Sequence, residues 1–410
     1  MKEKIKILND PVHGFIQMPS GIGFEIVNHP WFQRLRNIKQ LGISHYVYPG
    51  ATHTRFQHSL GAYFLTKQAL NVLTEKGIEI TNEEREATLL AIILHDIGHS
   101  PFSHTLENVL FKKINHEELT RAFICFYNKL FNNKLDLTLK IFDNKYKKLF
   151  LHQLISSQLD MDRLDYLKRD SFYTGVLEGV ISTERIIKML NVSNNSLVVE
   201  EKGIYSIEKF LISRRLMYWQ VYLHKTVLAS ELMLIAIFKR AYELFKENKI
   251  NLPENLKILW VKNWTKKDLY SNETLLQTFA QIDDSDIIVW LKQWANHNDF
   301  VLSTLCQKLI NRQLFKIKML KNPIDQNIVD KCLKKIIKMY SLSDKEAKYF
   351  IFHDFAENRA YSINDYRINI LFKNGKIMDI AEASDILNID ILSKKVIKYY
   401  FCTIPECFNI

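Results

Sequence analysis

Residues 89–104, LLAIILHDIGHSPFSH, decide how the chain is read. From Ala87 to Leu94 every residue except Thr88 is apolar, which predicts a helix buried on nearly all sides. The run ends in His95 and Asp96, and a buried helix end of that kind is costly unless something pairs with it. A metal ion would satisfy both residues. A plain hydrogen bond between them would do so too, and an isolated His-Asp pair is more often that. His99, His104 and a distant RFQHS segment at 55–59 shift the reading toward the metal.

Working outward, Thr81 or Asn82 can cap this helix, and Gly98, Ser100 and Pro101 break the chain directly after the pair, with a further helix from about Ser103. Pro49 and Gly50 mark a loop that leads into a helix from Arg55 to Lys76. LDMDRLDYLKRD, 159–170, predicts another helix, capped by Asp160, with Leu164 and Leu167 inward and Asp162, Tyr166, Arg169 and Asp170 on a different stripe. Residues 1–20 begin as a short strand or extended arm, and helices follow near Gly21 and Pro30. The second of these turns Trp31, Phe32, Leu35 and Ile38 inward and leaves Gln33, Arg34, Arg36 and Lys39 on its polar side. SLVVE at 196–200 and IYSI at 204–207, around Lys202-Gly203, predict a two-stranded ribbon. A long helical stretch covers 207–245, three or four helices fill 266–350, and Asn374-Gly375 predicts a hairpin within 368–380.

The 410 residues are 47% hydrophobic and 25% charged, with only 12 Gly and 8 Pro, which argues against disorder and against an all-β sandwich or barrel. The fold expected is mainly α. It divides into an arm with helices over 1–45, a core over 46–245 and a helical lobe with a terminal β-hairpin over 246–410, forming one continuous globular unit. A net charge of +11 suits an acidic partner, nucleotide or nucleic acid. Lys316, Lys318, Lys321, Lys331, Lys334, Lys335 and Lys338, spaced among apolar residues, read instead as solvated helix faces. Cys125, Cys306, Cys332, Cys402 and Cys407 are scattered without a CxxC pair, the N-terminus lacks a signal-peptide core, and no uncharged apolar run approaches the ~18–20 residues that span a bilayer. A cytoplasmic protein without a membrane segment is expected.

His58, His95, Asp96 and one later Asp would make a mixed N/O sphere for a single divalent ion, with positions left open for water and substrate. Mn, Fe, Zn, Co, Ni or Mg would all suit it. Asp162 is the choice for the fourth ligand, because Asp160 serves better as a cap and Asp165 lies nearer the Leu164 side.

PGATHTRFQHSLG, LHDIGHSPFSH and LDMDRLDYLKRD, in this order, resemble the HD-domain phosphohydrolases, and within them the deoxynucleoside triphosphate (dNTP) triphosphohydrolase branch. NDPVHGFI, WFQRLRNIKQLG, His116-Glu117 and RRLMYWQVYLHK extend the resemblance over roughly the first 230 residues. It implies an HD-domain helical core with small β-ribbons and an elaborated helical C-terminal region. It also implies that His58, His95, Asp96 and Asp162 bind the metal, and that Arg55 and His99 reach phosphate. His104, Glu107 and His116 take the positions of catalytic helpers, with Glu107 standing where some members have Asp. Gln40 and Leu41 would contact sugar or base, Tyr166, Asp170 and Tyr222 would line the sugar pocket, and Arg163, Lys168, Arg214 and Lys225 would lie near the polyphosphate.

The implied reaction is attack of a metal-activated water on the α-phosphorus, with His116, oriented by Glu107, protonating the departing 5′ oxygen. The products are deoxynucleoside and inorganic triphosphate. A nucleotide phosphatase or phosphodiesterase could use the same ligands, and a nucleotide or nucleic-acid binding regulator with little catalysis is supported only by charge. The family's eukaryotic-like members are tetramers activated by nucleotides at their N-terminal segment, which implies a homo-oligomer (dimer or tetramer) and an activator contacting Lys6, Asn9, Gln33 and Arg36. Asn28 stands where a guanine-reading Asp is expected, and an amide cannot accept two donors from guanine as a carboxylate does. His29, His45, His152, His297 and His353 read as ordinary histidines. His13 and His53 receive no assignment, although His53 is close to the site loop.

Overall fold

The computed structural model describes residues 6–358, 361, 367–385 and 394–409. It is mainly helical with three small sheets. The centre is made by the helices Arg55–Glu75, Asn82–Leu94, His116–Leu130 and Met161–Thr174. Their ends follow from local chemistry. The Thr81 side chain accepts from the Glu84 N–H while the Glu84 carboxylate accepts from the Thr81 N–H, a reciprocal cap. Asp160 caps the Met161–Thr174 helix by accepting from the Arg163 N–H at 2.7 Å. The apolar run 87–94 is buried apart from Leu89, as its composition requires. Among the described residues no single helix is long and apolar enough to cross a membrane.

Several expectations need correction. IYSI is not a strand, because Ile204 opens the helix Ile204–Met217, where Ile207, Phe210 and Leu211 are buried at helical spacing. Four alternating residues were too short a window to separate the two periods. The ribbon pairs Leu190–Ser193 with Ser196–Glu200 instead, turning at Asn194 and Asn195, both left-handed (φ 49° and 63°). The stretch 207–245 is interrupted by a π-helical turn, Tyr218–Tyr222, and bends by 54° into the helix Lys225–Lys246. Residues 266–350 hold six α-helical segments and a strand, Lys316–Leu320, so Lys316 and Lys318 stand on a sheet with Ile317 buried between them. That strand, Val396–Thr403 and Ile351–Asn358 form an antiparallel sheet with Val396–Thr403 in the middle. The hairpin Asn369–Leu371 with Ile377–Asp379 forms as expected, with Gly375 at φ 81°, and docks in parallel against Ser196–Glu200.

Arg34, placed on a polar face by its helical spacing, is buried. Its Nε donates to the Ile282 carbonyl at 2.7 Å, its guanidinium lies over the Phe279 ring, and burial pushes it down to about 10. Next to this contact, the buried carboxylate of Asp284, first residue of the helix Asp284–Trp294, accepts the Lys39 N–H at 2.9 Å and the Phe102 N–H at 2.7 Å. Phe102 and Ser103 are consecutive left-handed residues (φ 53° and 57°) in the turn after the His-Asp pair. Such a conformation costs roughly 1–3 kcal/mol per residue and persists only where its surroundings hold it. Asp284→Ala is therefore expected to lower stability by roughly 2–3 kcal/mol, by leaving two inner N–H groups unpaired. The urea midpoint checks this, and an unchanged midpoint would show that the turn holds itself.

Candidate active site

A cavity of about 740 Å³ opens between these central helices and the turn 95–104. His95 lines it, and the fully buried His58 lies against His95. The His58 Nδ1–H donates to Asp165 at 2.7 Å and the His95 Nδ1–H donates to the Ile92 carbonyl at 2.5 Å, so both rings turn Nε2 inward, 3.2 Å apart. Asp162 Oδ1 lies 3.0 Å from His58 Nε2 and 3.6 Å from His95 Nε2. Bonds of roughly 2.0–2.2 Å to one ion separate ligand atoms by roughly 3–3.5 Å, and two inward lone pairs anchored from behind are the usual arrangement of metal-bound histidine. The donor set therefore fits a divalent metal. Asp96 stands slightly aside: Oδ1 is 3.4 Å from His95 Nε2, while Oδ2 is 3.7 Å from His58 Nε2 and accepts from Arg55 Nη1 at 2.5 Å.

Burial opposes charge on every one of these groups, and the partners outweigh it. His58 is pushed up to about 10 by its bonds to Asp162 and Asp165, so its Nε2 offers a lone pair only where a divalent ion displaces the proton there, and Asp162 is held well below the carboxylate range by the two histidines. Asp96 is held down chiefly by Arg55. His99 goes the other way, since burial and Arg55 together keep its imidazole neutral.

The turn reaches a second histidine group. Gly98 is required here: a Cβ would meet the Thr120 nitrogen at 2.3 Å, and the Gly98 N–H donates to the Thr120 hydroxyl at 3.1 Å. That contact seats the turn on the helix His116–Leu130. His99 stacks on His116 with ring centres 4.1 Å apart, and ring nitrogens of His99, His104 and His116 converge within 4.8 Å. Glu107, at the start of the helix Glu107–Leu110, accepts from His116 Nδ1 at 2.8 Å and His104 Nδ1 at 3.2 Å. Burial would raise the Glu107 carboxyl, but these bonds hold it well below the carboxylate range.

At the other end, Asp170 accepts from the Tyr222 hydroxyl at 2.8 Å and from His53 Nε2 at 2.7 Å, and Tyr166 meets Tyr222 edge to face. Gln40, Leu41, Arg55, His99, Arg163 and Tyr166 all line the cavity. Among the described residues, buried polar atoms without a protein partner include Gln40 Oε1, His99 Nδ1 and Arg163 Nε, all on residues that line the cavity and left for a polar ligand. Lys168, Arg214 and Lys225, expected near the polyphosphate, do not line the cavity. Lys6, Gln33 and Arg36 gather elsewhere, around the helix Gly21–Asn28: Lys6 lies over Phe24, Gln33 donates to the Val27 carbonyl and Arg36 donates to Gln33. Asn9 is exposed on the neighbouring strand Ile7–Asp10.

Sequence reasoning missed Asp165, His13, Tyr218 and Glu231. Asp165 was set aside for its apolar neighbour, yet it orients His58 and also accepts from His13 Nε2 at 2.6 Å. Its i, i+4 spacing to Arg169, which donates to it at 2.8 Å, was the available signal. Tyr218 and Glu231 line the cavity from a π turn and a long helix that carry no local marker. His152, read as ordinary, lines it as well.

Residues 55–170 match the HD domain, and residues 181–258 match the HD associated region. An uncharacterized Bacillus subtilis (strain 168) protein, YwfO, is 30% identical over 403 residues, 93% of this chain and 88% of that protein. The chain belongs to the HD-domain phosphohydrolase superfamily. A phosphohydrolase of Bacteroides thetaiotaomicron VPI-5482 is 50% identical with a TM-score of 0.93, covering 98% of this chain and all of its own. The human deoxynucleoside triphosphate triphosphohydrolase SAMHD1 is 29% identical over 283 residues, 58% of this chain and 45% of that protein. The chain is thus an HD-type phosphohydrolase with a His/Asp cluster able to hold a metal.

Because the folded Glu107 carboxyl is depressed, its contribution to stability is full above the ordinary carboxylate value and is lost as pH falls below roughly 4.3. Wild type is expected to melt above Glu107→Gln at pH 7, with the gap closing below about pH 4. A gap independent of pH, in thermal melts across that range, would contradict the assignment.

Proposed function

We propose that the chain hydrolyses deoxynucleoside triphosphates to deoxynucleoside and inorganic triphosphate. One observation carries the reading: a single cavity joins the His95 and Asp162 end of the metal-ligand set, the Glu107-oriented histidines, the unsatisfied Arg163 Nε and a Tyr222-Asp170 end. The names of the human and Dictyostelium discoideum relatives support it. A divalent ion held by His58, His95, Asp162 and Asp96 would supply a water of lowered pKa in line with the α-phosphorus. Arg55 and Arg163 bind and orient the polyphosphate. His116, its Nδ1–H fixed on Glu107, offers the Nε2 proton to the leaving 5′ oxygen, and His104 shares the same carboxylate. Tyr166 and Tyr222 pack against deoxyribose and exclude a 2′-hydroxyl.

The same reading includes a homo-oligomer. Phe172, Leu177, Val180, Ile212 and Leu216 are exposed on adjoining elements, Leu177 to 78%, an apolar face suited to a second copy. Lys6, Asn9, Gln33 and Arg36 would take an activating nucleotide, with Asn28 weakening selection of guanine. A cytoplasmic location, in keeping with five free cysteines, completes it.

Metal-loaded protein incubated with the dNTPs and their ribose counterparts is expected to release triphosphate from the deoxy forms. Orthophosphate as the main product, or opening of a cyclic nucleotide offered in a parallel incubation, would replace this reading with a phosphatase or phosphodiesterase. His95→Ala and Asp162→Ala should lose metal and turnover together, and Asp165→Asn should weaken metal binding about 10–100-fold. Leu177→Asp is expected to reduce the mass measured by light scattering to that of one chain, and an unchanged mass would move the interface elsewhere.

A further inference from the structure

A second cavity, of about 310 Å³, lies outside the active site and shares no lining residue with it. It is bounded by residues 108–112, the helix Lys225–Lys246, and the helix Glu254–Trp260 with the turn after it. Its walls are aromatic: Phe111, Phe238, Tyr242, Trp260, Trp264 and Tyr349. Both indole N–H groups are already used, Trp260 donating to the Val109 carbonyl at 3.2 Å and Trp264 to the Ile258 carbonyl at 3.1 Å. What the rings still offer a ligand is apolar surface, with Lys112 and Lys246 near Tyr242 and Lys262 near Trp264.

The rim is basic. Lys112 sits with its ammonium 4.5 Å from the Tyr242 ring centre, and Lys262 lies 4.1 Å from that of Trp264. Lys262 is paired with Asp268, whereas among the described residues neither Lys112 nor Lys239 has a carboxylate partner. The acid on this rim, Glu243, is already engaged by Arg240 at 3.0 Å and Lys345 at 3.1 Å. A neighbouring cavity of about 340 Å³ shares Lys239 and Tyr349 and adds Lys345 and Lys348. Aromatic faces under unneutralised ammonium groups suit a flat ring that carries negative charge. The volume stands at the small end of the roughly 300–1,000 Å³ range of small-molecule sites.

The wall is also a lever. Asn108, Val109 and Leu110 belong to the short helix that begins with Glu107, the carboxylate that holds His104 and His116 on the other side. We propose that this cavity is a regulatory site for an anionic planar ring of mononucleotide size, seated on Trp264 and Tyr242 with its charge at Lys112 and Lys239, and that occupancy repositions Glu107. The regulatory meaning rests on the proposed hydrolase activity; the binding and the movement do not.

The test uses the full chain and two probes, adenosine 5′-monophosphate and 1-naphthoate, which separate a nucleotide from another aromatic anion. Equilibrium dialysis is expected to show one of them bound, with affinity reduced at least tenfold in the Lys112→Glu/Lys239→Glu double variant and in Trp264→Ala. Two surface lysines do not threaten folding, and neither lines the catalytic cavity, so binding at the active site would survive the double variant. Probe binding unaltered by both variants, or absent for both probes, overturns the site. The movement is read from the imidazole NMR signals of His104 and His116, assigned with His104→Gln. They should shift on saturation in the wild type and stay fixed in the double variant, and signals unmoved on saturation overturn the coupling whether or not any dNTP is hydrolysed.

Discussion

Much of the molecule hangs on the buried carboxylate of Asp165. It accepts from His58 Nδ1, from His13 Nε2 and from two nitrogens of Arg169, which in turn binds Asp10. Isolated, each of these charges would be very costly to bury, and removing one partner leaves the rest uncompensated. Together they tie the N-terminal hairpin to two central helices and fix the ring orientation that points His58 Nε2 toward His95. The network lies hard against the Arg55–Glu75 helix. A Cβ on Gly61 would meet Asp165 Oδ1 at 2.0 Å, which is why the chain has glycine one turn after His58.

A constraint of the same kind comes from the far end of the sequence. The turn that follows Asp96 must pass through two left-handed non-glycine residues to bring His99 and His104 to the cavity, and it does not hold that shape from its own residues. Asp284 supplies the missing acceptors to Phe102 and Lys39, and Arg34 anchors the segment just before it. The C-terminal region is thus a structural part of the site although, among the described residues, none after Glu231 of the helix Lys225–Lys246 lines the cavity. The same logic explains why the hairpin at 369–379 completes a sheet begun at 190–200.

This division also marks how far the sequence could be read. Apolar runs, caps and breakers placed the starts of the helices at 55, 82 and 161 within a residue or two, because each of those signals is local, whereas the helix expected from about Ser103 is two short turns and the long helix starts only at His116. Metal-ligand candidates were legible for the same reason: His58, His95 and Asp162 follow breaks or caps that a single chain displays. Asp165 and Arg34 were misjudged because their spacing describes only their own helix, while their partners lie elsewhere in sequence. Lys316 and Lys318 were placed on a helix for want of knowing the strand at 396–403 that pairs with them. IYSI failed differently, as a window barely longer than one helical turn.

The two histidine groups then divide the chemistry without a wall between them. His58 and His95 are pinned through Nδ1, one to a carboxylate and one to a carbonyl, and present a pair of Nε2 lone pairs to one point. His104 and His116 are pinned through Nδ1 to the two oxygens of one carboxylate. His99 stands at the seam, within 3.3 Å of Asp96 and stacked on His116. Were it cationic, it would compete with a metal for Asp96 and repel a proton on His116. Burial and the Arg55 guanidinium keep it neutral, so an uncharged ring separates Asp96 from His116, and the Arg55 that pairs with Asp96 is also what holds that ring uncharged.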